Sequence, residues 1–222
     1  MKVIWGGSSP TIQQVAASSS LIYFYKGSIT DESSIDFTNE DLCEAYGFID
    51  NDDKHYIFDN ETELLAWASN LPSPTNRDRL VSLIEDRQAI SDIAVNTGAQ
   101  AYAETHNEEL PKNYTDQVKS YWTNKYGKVA TVRGYGFIWD TCNGGTGFPV
   151  MPGVVSWYPN WIRNKMSKVE EIGTIGSVYC TRPFFFGRKW YFNPLFNGGG
   201  VFAYCLNEHW MNNNQMSSIH HY

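Results

Sequence analysis

The chain has 222 residues, 42% of them hydrophobic and 15% aromatic, and carries a formal net charge of −7. That length supports one large core or two small ones, and that apolar content excludes a disordered chain. The acidic balance speaks against general nucleic-acid binding, which basic patches drive, and no apolar run is long enough to cross a membrane as a helix.

The sum hides an asymmetry. Residues 1–125 carry 20 Asp or Glu against 9 Lys or Arg, whereas residues 126–222 carry 4 against 8. Helical patterns concentrate in the first part, and Gly, Cys and aromatic residues in the second. The chain therefore reads as two domains: an acidic, helix-rich α+β domain over 1–127 with at least three helices, and an all-β domain over 128–222. The opening "MKVIWGGSSP" has too short an apolar run for a secretory leader. A cytoplasmic location is expected, or a secreted one if a leader has been removed. The sequons at Asn60 and Asn113 matter only in the second case.

In chain order, "KVIWGG" and "SLIYFYKG" read as short strands ended by glycine. The acidic stretch "FIDNDDKHYIF" lacks the glycine and spacing of a helix-loop-helix calcium site and reads as a solvated turn. "DNETELLAWASNL" reads as a helix capped by Asn60, with Glu63 reaching back, and "PSP" stops it. In "TNRDRLVSLIEDRQAISDIAV", Leu80, Leu83, Ile84, Ile90 and Ile93 follow a helical period. In "YTDQVKSYWTNKYG", Val118, Tyr121 and Trp122 share a face and Gly127 sits at the C-cap. His55 and His106 are isolated, each a surface or structural histidine rather than a base. No nucleophile elbow, phosphate loop or zinc-protease motif appears, so the chain is read as a non-enzyme. Cys43, Cys142, Cys180 and Cys205 show no CxxC spacing, which argues against a thiolate zinc site.

The second part repeats itself. Gly134–Ile172 and Gly176–Tyr222 each open with an aromatic strand and a glycine-containing turn. Each then reaches a tryptophan, a polar loop and a closing strand. "NWIRNKMSKVEEI" aligns with "HWMNNNQMSSIHHY", matching Trp161 to Trp210, Asn164 to Asn214, Met166 to Met216 and Ser167 to Ser217. Two such units of about forty residues would bury their apolar faces only against each other, as a sandwich of two Greek keys. The adjacent His220 and His221 point to opposite faces of a strand and make no close ligand pair.

These features resemble the βγ-crystallin domain, with two Greek-key motifs packed face to face, over about residues 129–222. The loop "NNQMSS" (213–218) fits the family's form fully. "RNKMSK" (163–168) keeps Asn164 and Ser167 but has Arg163 and Lys168 outside them. In the second hairpin Phe185 and Gly187 hold the family's places, and Cys180 takes an aromatic one. In the first, Gly144 or Gly145 stands near the expected place.

The resemblance implies calcium, or another divalent ion such as magnesium, held between paired loops. One implied set is Ser217 with the carbonyls of Lys165 and Asp140. The other is Ser167 with the carbonyls of Gln215 and Thr181. Asp140 is the obvious carboxylate, so few negative charges would offset the ion and affinity should be low. Arg163 and Lys168 oppose it further.

Two other function classes are carried alongside. The aromatics of "RPFFFGRKWYFNPLF" and "FPVMPGVVSWYPNW" suggest a carrier of an apolar, lipid-like or aromatic ligand, such as a pigment, with its pocket at the domain interface. A secreted protease inhibitor or toxin, as some members of the family are, is the third. Aromatic strands also suggest a homodimer.

Overall fold

The structure is a computed structural model and describes residues 22–36, 42, 44–49, 54–107, 109–127, 135–141, 143, 145–150, 153–155, 167–172, 176–192, 201–205 and 218–221. The strand expected at "KVIWGG" lies outside the described residues. Strands β1 (Ile22–Tyr25) and β2 (Ser28–Thr30) form a hairpin turned at Lys26 and Gly27, with φ of 51° and 74°. The stretch read as an acidic turn overlaps two antiparallel strands, β3 (Tyr46–Ile49) and β4 (Lys54–Phe58). In β4 burial alternates along the strand, with His55 and Ile57 inside, which is the two-residue period of a strand. The connection, residues 50–53, lies outside the described residues. Strand β1 runs parallel to β4.

Helix α1 (Glu61–Ser69) begins where expected, with Asn60 Oδ1 accepting from the Glu63 N–H at 3.0 Å. The return contact differs by one residue. The Glu63 carboxylate accepts from the Asp59 N–H at 3.4 Å and from Asn60 Nδ2 at 3.1 Å. "PSP" both ends α1 and begins α2 (Pro74–Thr97), because Ser73 caps it and Pro74 fills a first-turn position that needs no N–H donor. Gly98 closes α2 in the left-handed region, at φ 63°, and a short α3 (Ala99–Thr105) follows. Seven residues are too few to show a period, so the sequence reading has no helix there. Helix α4 (Lys112–Tyr126) ends at Gly127 as expected, with the Gly127 N–H donating to the Thr123 carbonyl at 3.0 Å.

The second part supplies eight strands: β5 (Tyr135–Trp139), β6 (Gly147–Val150), β7 (Gly153–Val155), β8 (Lys168–Ile172), β9 (Ser177–Cys180), β10 (Lys189–Phe192), β11 (Val201–Cys205) and β12 (Ser218–His221). One sheet has the order β11-β8-β5-β6; the other runs β2-β1-β4-β3-β10-β9-β12-β7. The third strand of each repeat therefore lies in the sheet of the other: β7 beside β12, and β11 beside β8.

Strand pairing and core packing run across the boundary expected at residue 127. Strand β3 pairs parallel with β10, from Tyr46 opposite Lys189 to Ile49 opposite Phe192. Helix side chains Leu64, Leu80, Ile84 and Ile90 pack in one cluster with Phe48 of β3, Val178 of β9 and Tyr191 of β10. Gly47 lets β3 come close to β10, since a Cβ there would lie 2.4 Å from the Trp190 ring. The corresponding edge of the other sheet, β6, ends that sheet among the described residues. It contains Pro149, which has no N–H to offer a further strand.

Candidate functional site

The two turns that carry the expected ion residues are built alike. In the first, between β5 and β6, the Asp140 N–H donates to the Thr146 carbonyl at 3.2 Å. The Thr146 N–H donates back to Asp140 Oδ1 at 2.8 Å. In the second, between β9 and β10, the Thr181 N–H donates to the Arg188 carbonyl at 3.0 Å. The Arg188 N–H donates to Thr181 Oγ1 at 2.9 Å. Thr181 thus occupies the place of Asp140, with a hydroxyl for a carboxylate. Each turn folds a glycine under that oxygen: a Cβ would lie 2.1 Å from Asp140 Oδ1 at Gly145 and 2.2 Å from Thr181 Oγ1 at Gly187. The choice left open between Gly144 and Gly145 therefore falls on Gly145 by this correspondence.

Ser167, buried at 2% exposure, donates from Oγ to the Asp140 carbonyl at 2.7 Å. The next residue begins β8, where Lys168 pairs with Trp139. Strand β12 begins in the same way, with Ser218 opposite Cys180. Lys165, Gln215 and Ser217 lie outside the described residues. The ligand sets implied by the resemblance cross between repeats. The contact shown here, Ser167 on Asp140, runs within the first repeat, and Thr181 sits at the other turn. Among the described residues no group of three or more His, Cys, Asp or Glu could hold a metal.

The second turn is strained and braced. Phe184 and Phe185 adopt φ of 58° and 70°, a region that costs bulky side chains about 1–2 kcal/mol each. Both rings are fully buried, and Ser91 of α2 donates to the Phe184 carbonyl at 3.2 Å. Glu44 supplies a carboxylate that the sequence reading did not assign to this turn. It accepts from the Gly187 N–H at 3.0 Å and from Lys189 Nζ at 2.6 Å. Burial pulls the Lys189 ammonium below the ordinary lysine value, against the pull of Glu44. The two are 145 residues apart in sequence, so no local pattern joins them.

The aromatic run expected to line an apolar pocket is core instead. Phe184, Phe185, Trp190, Tyr191 and Phe192 are each 0–1% exposed. His55 is also fully buried, tilted against Tyr23 and edge-on to Trp190. His106 is exposed and stacks on Tyr102. Cys180 is fully buried.

A second polar centre holds α4 to α2. Asp86, fully buried, accepts from Tyr121 Oη and Tyr126 Oη at 2.5 Å each and from Lys125 Nζ at 2.6 Å. Burial first, then the bond to Asp86, pushes both phenols well above the ordinary tyrosine value of 10.0. Burial does the same to Tyr191. A value raised in the folded state makes this stabilisation complete below pH 10 and lost as pH rises beyond it. In an alkaline absorbance titration, three of the 14 tyrosines are expected to ionise only on unfolding. Reversible ionisation of all of them near pH 10 in folded protein would contradict this.

No protein family and no curated protein matches the chain. Among solved structures, the crystal structure of a βγ-crystallin from an archaeon aligns with 40% of this chain and 99% of its own, at 16% identity and a TM-score of 0.33. A likeness of that size carries no argument by itself. No helix among the described residues is long and apolar enough to cross a membrane.

Proposed function

We propose that the chain is a non-enzymatic binding or structural protein whose second part is a crystallin-like pair of Greek keys holding a divalent cation, calcium foremost. The corner between Asp140 and Ser167 carries this reading. It gathers a backbone carbonyl, a serine hydroxyl and the Asp140 carboxylate, whose Oδ1 is engaged by the Thr146 N–H. Hard oxygens of these three kinds suit calcium, which takes six to eight at about 2.3–2.6 Å. The hydroxyl and carbonyl stand 2.7 Å apart, close to the spacing of neighbouring ligands around such an ion. Support for the paired Greek keys comes from the strand orders, in which fourth, first and second strands lie side by side and the third is exchanged.

A site with one carboxylate binds weakly, with a dissociation constant on the order of 10⁻⁴–10⁻³ M. Calorimetric titration of metal-free protein should give saturable heat with calcium and a raised melting temperature. Ser167→Ala should weaken binding by about tenfold, the effect of roughly 1.4 kcal/mol. Neither heat nor stabilisation from calcium or magnesium would end the proposal. The apolar-carrier alternative loses part of its support, because Phe184, Phe185, Trp190, Tyr191 and Phe192 are packed inside, while the side chains of the other run, 148–161, lie outside the described residues.

A further inference from the structure

Where α2, the end of α4 and the start of β9 meet, a cleft of about 370 Å³ opens. Its polar wall is Thr75, Asp78, Arg79, Ser82 and Tyr126, and Leu83 and Gly176 complete it. It lies where the two parts of the chain join, a common place for ligand sites, and has the size of a small-molecule pocket.

Arg79 is the unusual member. It is half-buried and makes no hydrogen bond or ion pair among the described residues, although it belongs to the acidic part of the chain. Neighbouring Arg77, by contrast, faces Asp78 at 3.5 Å. A guanidinium partly withdrawn from water gains from a planar acceptor that takes two of its five donors at once. The exposed Thr75, on the same cleft, has no hydrogen-bond partner for its hydroxyl among the described residues.

Across the cleft, Ser82 Oγ and Tyr126 Oη lie 3.1 Å apart. Tyr126 directs its proton to Asp86, whose other oxygen is held by Tyr121 and Lys125. With that proton committed, Ser82 is left as the hydroxyl that turns either to Tyr126 or to a ligand. Asp78 also borders the cleft, but its side chain is 76% exposed, so water screens it.

We infer that this cleft binds a small oxyanion, a carboxylate or a phosphate group, seated on the Arg79 fork with the hydroxyls of Thr75 and Ser82. The site is separate from the proposed cation corner.

Calorimetry of the full chain against inorganic phosphate and against succinate, at constant ionic strength, tests it. At least one probe should bind saturably, and the one that does names the anion class. Arg79→Gln should raise the dissociation constant at least tenfold, and Ser82→Ala about threefold. Arg77→Gln should change it less than twofold and leave calcium binding as in the parent. Arg79→Lys keeps the charge and loses the fork. It should bind at least threefold more weakly than the parent, and it serves also if the glutamine variant folds poorly. No saturable binding of either probe, unchanged binding in both Arg79 variants, or equal losses at Arg77 and Arg79 would overturn the inference.

Discussion

Alanine in place of Asp86 should lower the unfolding free energy by about 3–5 kcal/mol, the range seen when one partner of a buried charged network is removed. The Asp86 carboxylate is fully buried, at a desolvation cost of several kcal/mol. Three donors offset that cost: two phenols at 2.5 Å and the Lys125 ammonium at 2.6 Å. Charge-assisted bonds contribute about 1.5–3 kcal/mol each, so together they exceed the penalty. With the acceptor gone, two part-buried phenols and an ammonium lose the Asp86 oxygens at once, and Tyr126 keeps Ser82 and Lys125 keeps Glu85. Helix α4 then rests on buried Tyr114 and on partly buried Val118, Tyr121 and Trp122. Asp86→Asn keeps the shape and should fall between alanine and the parent. Glu85→Ala, next in sequence and 60% exposed, should cost less than about 1 kcal/mol. Urea unfolding compares the series, and a loss at position 86 no larger than at 85 would show that the clasp contributes little.

The neighbouring residue carries the second large effect. Arg87 points the other way, into the sheet, at 2% exposure. It pairs with Glu61 of α1, donates to Ser91 Oγ at 3.3 Å and lies over the Tyr46 ring of β3 at 5.6 Å. One side chain thus ties two helices to the strand that joins the parts. Arg87→Ala should cost about 3–4 kcal/mol, toward the low end for a buried pair because Glu61 is 22% exposed and regains some water. Arg87→Met with Glu61→Gln removes both charges and refills the volume, so it should recover most of the loss. If the double variant is as unstable as the single one, packing rather than charge pairing is what Arg87 provides.

The helices were legible because their information is local. Leu80, Leu83, Ile84 and Ile90 recur at the helical period and are buried. Asn60 and Gly127 act within a turn of the helix ends they cap. The repeated turns were legible for the same reason, since each closes within seven residues or fewer. The aromatic run 184–192 misled, because composition distinguishes neither the wall of a pocket from the interior of a core nor one face of a strand from the other. Only the surroundings of Phe184 and Tyr191 place them inside.

What the sequence determined by itself is therefore the helices α1, α2 and α4, the caps at Asn60 and Gly127, and the kinship of the two turns around Asp140 and Thr181. What only the tertiary structure decided is how distant pieces meet. Glu44 reaches Gly187 across 143 residues, Ser91 reaches Phe184 across 93, and β3 takes its place along β10 rather than β6. The physical reason is that caps and periods act through near neighbours. A strand edge or a buried carboxylate is satisfied by whatever donor the folded chain brings to it. Proline at 149 and glycine at 47 mark in the sequence which edge stays open and which can be approached, but their meaning appears only once the strands are side by side.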